Sequence, residues 1–346
     1  MPLLPETATM AKPLPGRWRR GTFIIFGLLL GVLWAVYIVI VKCNDRDSAM
    51  KLKSFGLSAR PAFTDYVQLA DLSPKYIPQT GKHRTSPGRL VVVGDVHGMR
   101  HSLVELLEEL NFDKKHDHLI LAGDMVSKGP DSAGVVDFAM SLGATCIRGN
   151  HEDRIILVAG EMKGKHLDTQ FPNPNEPDNK KQDSLEEESF SHGNYKVRRL
   201  VRQLGEKRIK WLADCPVILR VGDLGGMGEV VVVHAGLAPG LELERQDPVT
   251  VMNMRTIKDG VPTDQRDGKP WMKVWNDYQK TLPKKDRSTV IYGHDSRRGL
   301  QMDKYSMGID TGCRRGGKLS AVVIEGGQSG HTHKLVQVNC KNASSE

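Results

Sequence analysis

The chain has 346 residues, 39% hydrophobic and 26% charged, with 35 glycines and a formal charge of +8 from 49 Lys and Arg against 41 Asp and Glu. This is globular composition, which excludes a wholly disordered chain and is long enough for one large catalytic domain with a buried core. The five cysteines (Cys43, Cys146, Cys215, Cys313 and Cys340) form no Cys-x-x-Cys pair, which argues against a zinc finger or a thioredoxin-type site.

From Thr22 to Val41 no charged residue occurs, and the run is rich in Phe, Ile, Leu, Val and Trp. Twenty helical residues at about 1.5 Å each match the roughly 30 Å hydrocarbon core of a bilayer. The run lacks the polar face of a core helix. It is also longer than a secretory h-region and ends in Val41-Lys42-Cys43-Asn44 rather than a small-residue cleavage site. A membrane anchor is therefore expected over 22–41. The cluster Arg17, Arg19 and Arg20 beside the span favours a cytosolic tail over 1–21 and a lumenal domain, making a type II single-pass protein. The sequon Asn342-Ala343-Ser344 fits glycosylation on a lumenal face.

Residues 42–87 read as a polar stalk that folds back onto the domain through Tyr66-Val67-Gln68-Leu69, and 88–346 as the catalytic domain. Leu90–Val93, Leu119–Ala122 and Val230–Val233 read as buried strands; Ala144–Arg148 and Val290–Tyr292 are weaker signals. Leu103, Leu106, Leu107 and Leu110 repeat at helical spacing, and a second helix carries Phe138-Ala139-Met140 and ends at Gly143. Strand–helix–strand order predicts an α/β fold with a parallel sheet. Residues 160–193 carry almost nothing apolar and read as a flexible insertion. Lys196–Lys210 reads as a helix with Val197, Leu200, Val201 and Leu204 on its packed face and a cationic surface that would concentrate a polyanion. Cys146, in a strand, is expected to be buried and inert, a Cys313–Cys340 bridge is conceivable in a lumen, and His331 and His333 read as part of a polar tail. No special role is expected for His101 or His116.

Five fragments carry chemistry: Gly94-Asp95-Val96-His97-Gly98, Gly123-Asp124, Gly149-Asn150-His151-Glu152, His234-Ala235-Gly236 and Gly293-His294. Each follows a strand signal, and an open α/β sheet places its site beyond the carboxyl ends of its strands. Hydrolysis of a phosphate ester or anhydride needs a strong nucleophile and neutralisation of developing charge, which two metals roughly 3.5–4 Å apart supply together. Asp, His and Asn are the ligand types for such a centre, with Asp124 the natural bridge. Any fragment alone is weak; five in this order make coincidence hard to defend.

The ordered set resembles the phosphoprotein phosphatase superfamily of calcineurin-like metallophosphoesterases from about Arg89 to Ile324, with Ile309–Cys313 and Gly316–Ala321 similar to its closing strands. The resemblance implies a β-sandwich flanked by helices, with metal ligation by Asp95, His97, Asp124, Asn150, His234 and His294. It also implies His151 as the general acid, with Arg148 holding its loop. Two departures stand out. Where eukaryotic protein phosphatases of the superfamily carry Asp-Arg-Gly, this chain has Ser127-Lys128-Gly129-Pro130. Another group must therefore orient His151, and Lys128 puts a compact charge in place of a planar clamp. The Lys-Gly-Pro form is similar to the bacterial-like branch related to diadenosine tetraphosphatases and, within it, to fungal membrane-anchored vacuolar endopolyphosphatases.

That resemblance implies endo-cleavage of inorganic polyphosphate in a vacuolar lumen by an enzyme with two divalent metals, zinc first, with manganese or cobalt as alternatives. Lys128, Arg255, Arg297 and Arg298 are the candidate phosphate contacts. Eleven Lys and Arg against five Asp between Lys273 and Lys318 also suit a polyanion. Nothing resembles a base-reading module, so no specific nucleic acid is expected. A protein Ser/Thr phosphatase, a dinucleoside tetraphosphatase and, least favoured, a non-catalytic anchored binding protein are the competing readings.

Overall fold

Apolar runs such as Leu90–Val93 do not alternate with polar residues, so both faces of their strands must be covered. The computed structural model, which describes residues 23, 25–42, 66–81, 88–165 and 192–341, covers them in four layers. The chain divides into two units, Met1–Met50 and Lys51–Glu346. The first contains helix α1 (Ile25–Lys42), long and apolar enough to cross a membrane, with mean hydropathy 2.4 and none of it buried.

In the second unit the elements run β1 (Leu69–Asp71), β2 (Arg89–Val93), α2 (Arg100–Glu109), β3 (His118–Leu121), α3 (Ser132–Leu142), β4 (Thr145–Cys146), α4 (Asn150–Lys165) and α5 (His192–Ala213). Then follow β5 (Ile218–Asp223), β6 (Glu229–Val233), α6 (Pro248–Asn253), β7 (Thr256–Lys258), β8 (Val261–Thr263), β9 (Lys269–Pro270) and α7 (Trp271–Thr281). The chain closes with β10 (Ser288–Tyr292), β11 (Gln301–Asp303), β12 (Ser306–Gly308), β13 (Lys318–Gly326) and β14 (His331–Asn339). One sheet has the order β1-β5-β6-β10-β12-β11, a second β14-β13-β2-β3-β4, and a small third β8-β7-β9. β2, β3 and β4 are parallel neighbours, as are β6, β10 and β12. Antiparallel pairs such as β5–β6 and β13–β14 make both large sheets mixed rather than purely parallel.

The period-2 geometry of each strand sorts its side chains between two cores. Leu90, Val92 and Ile120 point inward to meet Val230, Val232 and Ile291 between the two large sheets. Val91, Val93, Leu119 and Leu121 face the other way, against α2–α5 residues such as Leu103, Leu106, Val135, Val136, Ile155 and Leu204. On the far side Val231, Val233, Val290 and Tyr292 pack with Val251, Trp271 and Trp275 from α6 and α7. Burying each large apolar side chain is worth about 1.5–3 kcal/mol.

Several expectations change. Residues 69–71 are an edge strand paired parallel to β5, so the stretch before residue 88 contributes to the sheet, through the fold-back the sequence suggested. α4 continues through Gly160 to Lys165 and α5 begins at His192, so both ends of the expected insertion are helical; 166–191 lie outside the described residues. The basic run has its apolar face where predicted, with Val201 and Leu204 fully buried, but Gly205 (φ 68°) kinks the helix. Its surface is less cationic than the sequence suggested, because Arg198 is buried and Arg208 pairs with Asp137 of α3 at 2.7 Å. Cys146 is not an isolated thiol: it is bonded to Cys215, and Cys313 to Cys340. His331 and His333 belong to β14, which pairs along its whole length with β13.

His118, at the start of β3, stacks on Tyr76 at 3.6 Å between ring centroids and bonds Thr145 Oγ1 through Nε2 at 2.8 Å. Burial first, and the charge of Lys75 second, lower its pKa from 6.5 to about 4. The folded state thus refuses a proton that the unfolded chain accepts. This contribution to stability is whole above pH 6.5 and is lost as pH falls toward 4, up to about 3 kcal/mol at 1.36 kcal/mol per unit. His118→Phe is expected to shrink the drop in Tm between pH 7.5 and 4.5; an unchanged drop would show that His118 is not its source.

Candidate metal centre and active site

The five fragments leave the C-terminal ends of β2, β3, β4, β6 and β10, strands from both large sheets, and their side chains meet. Close approach is built into the backbone. A Cβ at Gly123 (φ 89°) would come within 2.7 Å of His234 Nδ1, and one at Gly293 within 2.0 Å of Asp95 Oδ1. His97, Asp124, Ser127, Lys128 and His294 all adopt positive φ, between 45° and 72°, a region that L-residues other than glycine seldom occupy.

Asp124 lies at the middle, 2% exposed. One of its oxygens is 3.3 Å from His234 Nε2; the other is 3.6 Å from His97 Nε2 and 3.9 Å from His151 Nε2. Two groups that could hold a cation share it: His97, Asp124 and His151, and Asp124, His234 and His294. Asn150 Oδ1 is 3.1 Å from His234 Nε2, and His294 Nδ1 faces that same nitrogen at 3.2 Å. Asp95 accepts the His294 N–H through Oδ1, while its Oδ2 is buried with no hydrogen-bond partner. The structure therefore brings Asp95, His97, Asp124, Asn150, His151, His234 and His294 together.

These residues fit divalent metal ions. Three of the four imidazoles have the far nitrogen against a backbone carbonyl: His97 Nδ1 on Val126 O at 3.2 Å, His234 Nδ1 on Ala122 O at 3.0 Å, His294 Nε2 on Asn253 O at 3.1 Å. Such bonds fix the tautomer and leave the other nitrogen as a ligand. Burial, opposed in part by Asp124, lowers His97 to about 3, and burial also keeps His294 and His151 below their usual value. That favours the neutral imidazole a metal requires. At His234 burial pulls down, but Asp124 and Asp95 outweigh it and raise the pKa to about 10, a measure of how much negative charge the centre holds. Burial first and Asp310 second push Asp95 well above the usual carboxylate range. A buried unpartnered oxygen, converging imidazoles and an amide oxygen without sulfur make a site for Zn, Mn, Fe or Co.

The profile of the calcineurin-like phosphoesterase family matches residues 88–335. The chain belongs to that family. It is a metal-dependent phosphohydrolase, built on a fold that uses a dinuclear divalent metal site. Among its relatives is the zinc-dependent endopolyphosphatase of Saccharomyces cerevisiae, 28% identical over 274 residues, covering 72% of this chain and 80% of the relative. Another is a symmetrical bis(5'-nucleosyl)-tetraphosphatase of Methylobacillus flagellatus, 29% identical over 275 residues, covering 72% and 95%. A crystal structure assigned as a candidate diadenosine tetraphosphatase superposes with a TM-score of 0.57 at 28% identity, covering 80% of this chain and all of the other.

Within this phosphoesterase frame the remaining predicted residues separate. Arg148 is buried and bonded through its guanidinium to Asp153 at 2.9 Å, beneath the Tyr66 ring, and its N–H donates to Pro216 O. These contacts tie it to Asp153 at the start of α4 and to Pro216, with the Cys146–Cys215 bridge alongside. Lys128 Nζ reaches His97 Nε2 at 3.1 Å. Arg298 is turned into an ion pair with Asp295, while Arg297 is exposed with no carboxylate partner among the described residues. Arg255 donates to Asp264 O and has a buried Nε without a partner.

In place of a carboxylate at Ser127, His151 has the edge of His97, at 5.0 Å and 88°, and its own N–H on Asp124 Oδ1. Sequence reasoning gave no role to Glu152, which was nevertheless in the fragment. Its carboxylate is fully buried and accepts the N–H groups of Asp124, Met125, Val126 and Gly149, joining the loops after β3 and β4. Burial and Asp124 push its pKa up to about 7, against the pull of those donors. Asp310 beside Asp95, and Arg266 on Asp295, were also missed; neither sits in a ligand-like fragment.

Proposed function

We propose that the chain is a membrane-anchored, lumenal endopolyphosphatase that holds two divalent cations, zinc first, through Asp95, His97, Asp124, Asn150, His234 and His294. The observation that carries this reading is the charge around the centre. Lys128, Arg255 and Arg297 have no carboxylate partner among the described residues, while Arg266 and Arg298 share Asp295. Unneutralised cations on both the His97 side and the His294 side suit a substrate whose negative charge continues past the bond being cut. The yeast relative supports the substrate and the metal. Two disulfides, which persist in oxidising compartments, support a lumenal domain following a cytosolic 1–21 tail and a 22–41 anchor.

When bound, the cations supply an activated water and neutralise phosphoryl oxygens. The chain's own part is binding and proton transfer. Lys128, Arg255 and Arg297 hold the phosphates, Arg148 and Glu152 fix the loops, and His151 gives a proton to the oxygen leaving phosphorus. A dinucleoside tetraphosphatase is the second reading, favoured by the Methylobacillus relative. Ser127 and Lys128 count against a protein phosphatase, and a non-catalytic role is answered by metal content and turnover. The test incubates the full-length protein in detergent, stripped and reloaded with Zn, Mn or Co, with long-chain polyphosphate, and sizes the products on a gel. Intermediate chain lengths are expected. No cleavage by a preparation that hydrolyses diadenosine tetraphosphate would transfer the protein to the second reading.

A further inference from the structure

A turn outside the predicted site carries two more unneutralised cations. After Asp310 the chain makes a tight bend in which Arg315 N and Gly317 N both donate to Gly312 O, and Gly316 N to Cys313 O. The bend is closed covalently by the Cys313–Cys340 bridge and by Cys340 N on Gly317 O. At its tip Arg314 and Arg315 are exposed. Arg314 Nε reaches Lys128 O at 3.3 Å, on the loop whose side chain touches His97. Arg315 bonds Ser296 Oγ, two residues past His294. The turn therefore touches both the Lys128 loop and the His294–Arg298 loop. Neither arginine has a carboxylate partner among the described residues, although Asp and Glu pair with many cations elsewhere on this surface.

Resting on the polyphosphate reading, we propose that Arg314 and Arg315 form a subsite for phosphates flanking the scissile bond, which selects long linear polyphosphate over short phosphoesters. Guanidinium groups bind phosphate oxygens bidentately, and a covalently closed turn presents them with little ordering cost. A chain of phosphates running past the centre meets both heads, whereas a short ester ends before reaching them.

The test uses full-length R314A/R315A and R314K/R315K beside the wild type. Long-chain polyphosphate is measured as an inhibitor of bis(p-nitrophenyl) phosphate hydrolysis at several salt concentrations, and cleavage of the polyphosphate is followed separately on a gel. For the alanine pair the Ki of polyphosphate is expected to rise at least about tenfold more than the KM of the small ester, with a log Ki against log salt slope shallower by roughly 1.5 for two lost phosphate contacts. The lysine pair restores the salt slope and part of the affinity. A Ki unchanged from wild type, or one that moves only in step with KM, overturns the subsite. Wild type that binds polyphosphate but never shortens it overturns the endopolyphosphatase reading instead, and the Ki series still decides the subsite.

Discussion

His151→Ala is expected to retain two metal ions per chain while lowering kcat by about 10²–10⁴, the usual worth of a general acid. The prediction separates two roles that the geometry brings close. His151 Nε2 is 3.9 Å from Asp124 and belongs to one of the two groups able to hold a cation, so it could serve as a ligand. Among the described residues, however, its ring has no carbonyl behind it of the kind that fixes His97, His234 and His294. Its place is set by the edge of His97 and by its backbone, as suits a group that moves a proton. Burial, with help from Lys128 and against Asp124, lowers its pKa below 6.5. A general acid must carry its proton, so the wild-type rate should fall as pH rises through that pKa, and the variant should lack this limb. Metal analysis and a kcat–pH profile decide the matter. Loss of one metal from the variant makes His151 a ligand, and full turnover removes it from the chemistry.

The second large effect is on folding. Glu152→Ala leaves four buried backbone N–H groups, those of Asp124, Met125, Val126 and Gly149, without their acceptor. Removing one partner of a buried charged network costs about 3–5 kcal/mol, a large part of the 5–15 kcal/mol by which domains are stable. Glu152→Gln keeps one acceptor oxygen but turns an NH₂ toward the N–H groups, so it should fall between. Urea unfolding midpoints are the measurement. An alanine variant within about 0.5 kcal/mol of wild type, the range of an ordinary surface change, would show that water replaces the carboxylate.

What the sequence made legible follows the range of the signal. Each candidate ligand fragment abuts its strand, so Asp95, His97, Asp124, Asn150, His234 and His294 could be picked out by local pattern, and the structure brings all six together. Glu152 was visible but mute, because its partners are backbone groups 26–28 residues away, apart from Gly149. The Cys146–Cys215 bridge spans 69 residues, and no spacing rule announces such a pair. β14 reads as a tail because its first exposed positions are polar (Thr332, His333, Lys334); its strand state comes from nine residues of pairing with β13. Charge counts could not sort the arginines either. Arg298 and Arg297 are neighbours, yet one is neutralised by Asp295 and the other is not.

The left-handed backbone at His97, Asp124, Ser127, Lys128 and His294 has a consequence for how this protein can be improved. Non-glycine residues held there cost of order 1–3 kcal/mol each, and the rest of the fold must over-determine them. Glycine or asparagine at His97, Asp124, Lys128 or His294 would relax the chain while deleting a candidate ligand or a charge. Selection for thermostability alone should therefore drift toward a sturdier, inert molecule, and an engineered variant would have to gain its robustness in the three apolar cores, away from the loops that meet at Asp124.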